Sequence, residues 1–149
     1  MTSEFLSHTA VPVANEDDAV ATCDALEGVH DRIQLVTVVH VIEKTEGYID
    51  KAPLEARQEQ AERIFGIGED RLADGPPVRR ELRYGTDAVD AILAVVEEVD
   101  ATAIGFATEP SGRLKRLLSG NDSYRLITES EQPVVVFSRL ASDDDPTEL

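Results

Sequence analysis

The chain has 149 residues, of which 42% are hydrophobic, so it is long enough to bury a core of ordinary size and should fold as one domain. It carries 30 Asp and Glu against 14 Lys and Arg, a formal charge of −16. This acidity argues against nucleic acids and anionic membranes as partners, because both are bound through Lys and Arg. The single cysteine, Cys23, excludes an intrachain disulfide and a cysteine-rich zinc site.

The sequence lacks both a membrane-spanning apolar stretch and the basic, apolar start of a signal peptide, so we expect a soluble, cytoplasmic protein. Only three of the 14 basic residues are lysines, and this composition with an acidic surface indicates a halophilic protein whose self-repulsion is screened by salt. We expect residues 1–140 to form the domain and the acidic segment 141–149 to be a disordered tail.

The first half of the chain predicts two strands, each followed by a helix. The apolar run 9–14 is a strand, and 18–26 is a helix with apolar residues at three- and four-residue spacing that Gly28 ends. The second strand, 33–42, is nearly continuous in β-branched residues, which is typical of a strand covered on both faces. A long helix then begins after Pro53, and one apolar face is predicted for it: Leu54, Ala61, Ile64, Phe65 and Leu72.

The second half continues the alternation. Residues 78–84 alternate as an edge strand that Gly85 ends, and a helix with a strong apolar stripe follows, capped by Thr86 or Asp87. A fourth strand is predicted at 101–106, and a last strand at 133–137. Between them, the turn residues 120–123 precede a predicted helix that ends near Ser130. This order predicts a single-domain α/β fold with an open five-stranded parallel sheet and helices on both faces.

In such a sheet, ligands bind beyond the carboxyl ends of the strands, where the winding direction reverses. From the end of the fourth strand onward, the order Gly105, Gly112 and then Gly120-Asn121 before a helix is typical of a phosphate-binding loop. Glycines let the backbone approach closely, and a helix N-terminus offers free N–H groups. An ordinary strand-to-helix connection with turn glycines gives the same pattern, so both interpretations stay open.

A basic cluster in this connection puts three of the 14 positive charges into four residues: Arg113, Lys115 and Arg116. These side chains would contact a polyphosphate or an acidic partner. Alternatively, they balance Glu109 and Asp122 on a solvated loop, where ion pairs are weak.

Residue types that carry catalysis are sparse. Cys23 lies on the apolar face of the first helix and is predicted to be a buried, inert thiol, and His40, within the second strand, to be a core or site-wall residue. The histidines, His8, His30 and His40, have no local metal-ligand spacing. With neither a nucleophile next to a base nor a G-x-S-x-G turn, we predict no catalytic residue, no metal site and no enzymatic activity.

Four stretches together resemble the universal stress protein (UspA-like) family: VPVA in the first strand, VVHVIE in the second, RYGTDAVDAIL at the third strand and its helix, and IGF with SGNDSYRLITESEQPVVVF at the end. The resemblance spans nearly the whole chain. It implies a flavodoxin-like sandwich with strand order 3-2-1-4-5 and ATP binding in one branch. It also implies a homodimer that pairs through the last strand, which here would be Val134, Val135, Val136 and Phe137.

The nucleotide-binding branch of that family carries G-x2-G-x9-G-(S/T) after the fourth strand, and the match here is partial. Gly105 and Gly120 take the places of the first and third glycines, but two extra residues separate them. Thr108 stands at the second glycine, for which Gly112 substitutes only after an insertion. Asn121 replaces the final Ser or Thr, and Asp122 adds a negative charge where a phosphate would sit.

A further departure lies at the end of the first strand, where Ala14-Asn15 replaces the family's nucleotide-contacting Asp. With these departures, the resemblance implies a dimeric regulatory protein of the stress response with weak or absent nucleotide binding and an unidentified protein partner. The alternative is an ATP- or AMP-binding protein, with Mg²⁺, whose site would use the following residues: Ala14, Val41, Gly105, Gly112, Gly120 and Asn121.

Overall fold

The computed structural model describes residues 5–43, 54–107 and 120–137. Within them, the strands are β1 (His8–Pro12), β2 (Leu35–Glu43), β3 (Val78–Gly85), β4 (Ala103–Ala107) and β5 (Val134–Phe137). The α-helices are α1 (Glu16–Leu26), α2 (Leu54–Arg71), α3 (Ala88–Glu98) and α4 (Gly120–Glu129), and a 3-10 helix spans Glu27–Arg32.

The sheet is parallel throughout, with the order β3-β2-β1-β4-β5, which confirms the predicted architecture. The chain winds outward from β1 through β2 to β3 and then returns to β4 on the other side of β1. Helices α1 and α2 therefore cover one face and α3 and α4 the other, since crossovers between parallel strands are right-handed. The winding direction reverses between β1 and β4.

Strand β2 shows why the sheet is buried on both faces. Val36 and Val38 point into the core under α1 and α2, whereas Val39 and Val41 point into the core under α3 and α4. Each of these valines is at most 6% exposed. The continuous β-branched run thus supplies both cores at once, as the pattern of a central parallel strand predicts.

Helix α1 ends at Leu26, as predicted, and the 3-10 helix that follows is kinked at Val29, directly after Gly28, where φ is −128°. Two details of the helix predictions are wrong. Helix α4 begins at Gly120 itself and not after Ser123. Leu54 is 55% exposed and does not belong to the buried face of α2. The buried face begins only at Ala61, because the first two turns of the helix extend past the core.

The third strand and the third helix follow the prediction more closely. β3 lies at the edge of the sheet and ends at Gly85, with Val78 and Leu82 packed against the core under α2. Asp87 is the cap of α3, and its carboxylate accepts a hydrogen bond of 3.0 Å from the Asp90 N–H. The alternative cap, Thr86, is thereby excluded.

Several predictions concern parts of the chain outside the described residues: Gly112, the basic cluster Arg113, Lys115 and Arg116, and the segment 141–149. The side chain of Asn121 is likewise outside them. Among the helices that the structure describes, none is long and apolar enough to cross a membrane.

Candidate functional site

The candidate site is the edge of the sheet at which β1, β2 and β4 end. Parallel pairing brings the carboxyl ends of these strands to one side, and the register of Pro12 with Val39 puts Val41 just beyond the end of β1. Ala14 follows β1 directly, and Gly120 is the first residue of α4. Four predicted site residues, Ala14, Val41, Gly105 and Gly120, therefore lie on the elements that surround the switch point.

The connection from β1 to α1 is closed by a reciprocal cap. Asn15 has extended backbone, and its side-chain oxygen accepts a hydrogen bond of 2.8 Å from the Asp18 N–H. In return, Oδ2 of Asp18 accepts a hydrogen bond of 2.9 Å from the Ala14 N–H. Asp18 is fully buried. The cap therefore uses the polar groups that Ala14 and Asn15 would otherwise present to a ligand.

Asp18 was not predicted as part of the site. The signal in the sequence is the spacing of a polar cap residue followed three positions later by an acidic one, which is the pattern of a capping box. Together with Glu16 and Asp17, Asp18 puts three carboxylates into the first turn of α1. These negative charges interact favourably with the positive end of the helix dipole, and they would repel a bound anion at the same helix end.

His40 connects β2 to the end of β1. Its Nδ1 lies 2.9 Å from the carbonyl oxygen of Val13, to which it donates, and the residue is only 6% exposed. Burial lowers the pKa of the imidazole, so the ring is held neutral. Val13 also donates its N–H to the Val39 carbonyl at 2.9 Å. The prediction of a satisfied core histidine is confirmed, and both backbone groups of Val13 are used within the protein.

Gly105 lies within β4, as the predicted strand 101–106 implies. A Cβ at this position would lie 2.8 Å from Cε2 of Phe137 and 3.2 Å from Cγ2 of Thr9. Both distances are shorter than ordinary van der Waals contacts, so the ring of Phe137 on β5 requires a glycine beneath it. Packing thus accounts for this glycine of the partial motif without a ligand.

The remaining candidate for chemistry, Cys23, is 2% exposed, and burial raises the pKa of its thiol to about 12. The prediction of a buried, inert thiol is confirmed. His8 lies at the start of β1, where its Nε2 is 2.6 Å from Oγ1 of Thr37, and therefore far along the strand from the switch point. Over the described residues, no group of three His, Cys, Asp or Glu side chains is arranged to hold a metal ion.

A doubly wound sheet of this order, with its switch point beside β1 and a glycine at the start of α4, defines a class of α/β domain that binds ligands at this edge. Residues 7–138 match the model of the universal stress protein family, and the chain belongs to that family.

Relatives and solved structures agree with this assignment. Universal stress proteins of Mycobacterium bovis and Mycobacterium tuberculosis are 38% identical over 69 residues, which are 46% of this chain and 24% of theirs. The chain thus matches about a quarter of the length of these curated relatives.

Among solved structures, a universal stress family protein from Burkholderia pseudomallei has a TM-score of 0.66 at 18% identity, covering 91% of this chain and 98% of its own. The universal stress protein from Archaeoglobus fulgidus in complex with dAMP has a TM-score of 0.59 at 22% identity, covering 87% and 95%. At these identities the likeness shows the shared fold.

Proposed function

We propose that this chain is a dimeric regulatory member of the universal stress protein family that acts in the cytoplasm through protein contacts, without catalysis and with weak or absent nucleotide binding. The observation that carries the proposal is the reciprocal cap between Asn15 and Asp18 at the end of β1. It occupies the position at which the resemblance expects a nucleotide-contacting carboxylate.

The cap opposes a nucleotide in two ways. Ala14 has no carboxylate to offer a ribose or a metal, and its N–H is already bonded to Asp18. The carboxylates of Asp17 and Asp18 also add negative charge at the N-terminus of α1, where Glu16 is paired with Arg63. A nucleotide phosphate placed there would meet like charge as well as groups that are already hydrogen-bonded.

Mass spectrometry of small molecules released from protein purified in molar salt, with and without Mg²⁺, tests this proposal. We expect adenine nucleotide far below one molecule per chain. Stoichiometric ATP or AMP would overturn the proposal. The amount of released nucleotide is normalised to the protein concentration. It is then compared with the amount released from a protein of similar charge that was purified in parallel.

The alternative is binding of ATP or AMP, with Mg²⁺, and two observations favour it: the dAMP complex of the Archaeoglobus fulgidus relative and the glycine that starts α4. Such a site would take its residues from the switch-point edge and its phosphate contacts from the basic cluster, as follows: Ala14, Val41, Gly105, Gly112, Gly120, Asn121, Arg113, Lys115 and Arg116. A rise in melting temperature with millimolar ATP that disappears in Gly120→Val would support this alternative, whereas an unchanged melting temperature would contradict it.

The proposed dimer contact is β5, which forms one edge of the described sheet. Its four residues, Val134 to Phe137, are all apolar and half-buried, although an exposed edge is normally short, charged or covered. A second copy of the strand would pair with this edge and cover it.

The hydrogen bonds of β4 show how to test the dimer. The Pro133 carbonyl accepts from the Ile104 N–H at 2.9 Å, and Ile104 is in register with Val134. Since backbone groups alternate in direction along a strand, the N–H of Val136 points to the outer edge. Val136→Pro removes that N–H without removing a bond to β4, so sedimentation should show a monomer, with Val136→Ala as the control that stays dimeric. A dimer that survives Val136→Pro would contradict this contact.

We also propose that the protein is a halophilic, acidic member of the family. The formal charge of −16 is self-repulsive, and the Debye length falls from about 10 Å at 0.1 M to about 3 Å at 1 M salt. The melting temperature should therefore rise between about 0.1 M and 2 M KCl. A melting temperature that stays constant or falls over this range would contradict the proposal.

A further inference from the structure

A groove of about 400 Å³ lies on the opposite face of the sheet from α1 and α2, between α3 and the turn that leads from α4 to β5. Its apolar part is formed by Leu93, Ala94 and Val96 of α3. Val96 is buried, Leu93 is partly buried and Ala94 is exposed, so the groove has an apolar floor that solvent reaches. A groove with such a floor offers burial to an apolar side chain of a partner.

The rim of the groove is acidic. Asp90 and Glu97 stand on the α3 side, and Glu129 and Glu131 stand on the other. Neither Lys nor Arg is among the described residues that line it. Arg125 pairs from outside the lining with Asp90 at 3.3 Å and with Glu129 at 3.1 Å, which leaves the other two carboxylates without an ion pair among the described residues.

This is not simply the consequence of an acidic chain, because part of the carboxylates on the α1–α2 face pair with arginines. Arg63 pairs with Glu16 at 2.7 Å, and Arg71 pairs with Asp24 at 2.9 Å. Arg80 holds two glutamates of α2, at 2.7 and 2.8 Å. The groove differs in combining unneutralised carboxylates with an accessible apolar floor.

The spacing of these features defines the ligand. Asp90 and Glu97 are two helical turns apart, about 10 Å along the axis of α3, and Leu93 and Ala94 lie between them. We propose that the groove is the docking site for a cationic peptide segment of a partner protein, in which basic side chains flank an apolar one. The basic side chains would pair with Glu97 and Glu131, and the apolar side chain would rest on Leu93 and Ala94.

This inference rests on the proposed regulatory role only in that such a role requires a partner. Its test is separate from that of the proposed function, because peptide binding at the groove and nucleotide content at the switch point are measured independently. A peptide that fails to bind at the groove would not affect the conclusion from the nucleotide measurements. Likewise, nucleotide bound at the switch point would not affect the conclusion on the groove.

The test is fluorescence anisotropy with a labelled eight-residue peptide that carries two arginines on each side of a central leucine, titrated with the full chain at about 0.15 M salt. The double variant Glu97→Gln/Glu131→Gln should weaken saturable binding about three- to tenfold, as expected for the loss of two exposed ion pairs. The control Glu55→Gln/Glu59→Gln removes the same charge from exposed positions of α2 and should change binding less than twofold.

A second pair of variants tests the apolar floor. Ala94→Arg fills the groove and adds a positive charge to it and should abolish saturable binding, whereas Ala56→Arg adds the same charge at an exposed position of α2 and should leave binding within twofold. A peptide with serine in place of the leucine should bind less tightly to the unmodified chain. Equal effects of groove and control variants, which would mean attraction by net charge alone, or no saturable binding of the peptide would overturn the proposal.

Discussion

The two faces of the sheet have equally closed cores but differ in how their surface charge is balanced. Under α1 and α2, Ile64 is fully buried, and under α3 and α4, Ile92 is 1% exposed. On the first face, Arg63, Arg71 and Arg80 pair with acidic residues. On the second face, Arg83 pairs with Glu98 and Arg125 with Asp87, and an acidic groove lies beside Arg125.

The two faces thus distinguish surface residues that stabilise the fold from surface residues that could contact a ligand. Where arginines pair with carboxylates, the surface charge is balanced within the chain. Where carboxylates remain without partners around an apolar floor, an unbalanced charge persists that a ligand could relieve.

The two cores should contribute equally to stability. Ile64→Ala and Ile92→Ala each remove a fully packed side chain, so each should lower the free energy of unfolding by about 2–5 kcal/mol. Urea denaturation measures both, and Ile64→Val and Ile92→Val should each cost only about 0.5–1.5 kcal/mol. A loss well below 1 kcal/mol for one alanine variant alone would show that its face is loosely packed.

Gly105 lies near the switch-point edge and packs beneath Phe137, which contacts the core under α1 and α2. Gly105→Ala should destabilise the fold by about 1–3 kcal/mol, because the new methyl group would meet the ring of Phe137 and the methyl group of Thr9. In a double-mutant cycle, Phe137→Leu should recover part of that loss. If Gly105→Ala leaves the free energy of unfolding unchanged, packing does not explain why a glycine occupies this position.

Each face has a helix whose N-terminus is capped by a different side chain: the amide of Asn15 caps α1, and the carboxylate of Asp87 caps α3. Asn15→Ala on α1 and Asp87→Ala on α3 should each cost about 1 kcal/mol at neutral pH. The Asp90 N–H and then Arg125 hold the pKa of the Asp87 carboxyl below its usual value of 3.8. Its charged form therefore stabilises the fold above that value, and the contribution is lost as the pH falls further through the folded pKa.

The cost of Asp87→Ala should consequently shrink when melting is measured near pH 3 instead of pH 7. Asp87→Asn, which keeps a capping oxygen but not the charge, should retain part of the stability at both pH values. A cost of Asp87→Ala that is the same at both pH values would contradict the role of its charge.

His40 should produce a smaller, separate effect of pH. Burial lowers its pKa below 6.5, so the folded chain binds fewer protons than the unfolded one as the pH decreases. Stability is then complete above about pH 6.5 and declines below it, with a slope of at most about 1.4 kcal/mol per pH unit. His40→Gln should flatten the melting profile below about pH 6.5, and an unchanged profile would contradict the effect of burial on the pKa of His40. Part of the slope should remain, because burial also lowers the pKa of His8.

Much of the fold could be predicted because local patterns and tertiary packing agree. The β-branched run of β2, the stripe of α3 and the alternation of β3 each correspond to an element of the structure. Leu54 was misplaced because helical periodicity shows which residues share a face but not where the core beneath them ends.

The candidate site was less predictable. The sequence shows that Ala14-Asn15 lacks a carboxylate, but not that Asp18 is buried and caps the strand end, since aspartate is rarely buried without tertiary partners. It also shows Gly105 but not the Phe137 ring above it, because that contact joins two strands about thirty residues apart. The groove is likewise formed by α3 and the turn after α4, which are distant in the sequence.

Calorimetric titration of the full chain with ATP and Mg²⁺ in molar salt tests whether the reciprocal cap leaves no nucleotide site at the end of β1. We expect no saturable heat up to a nucleotide concentration of about 1 mM, which corresponds to a binding free energy weaker than about −4 kcal/mol. A stoichiometric isotherm with a micromolar Kd would contradict it.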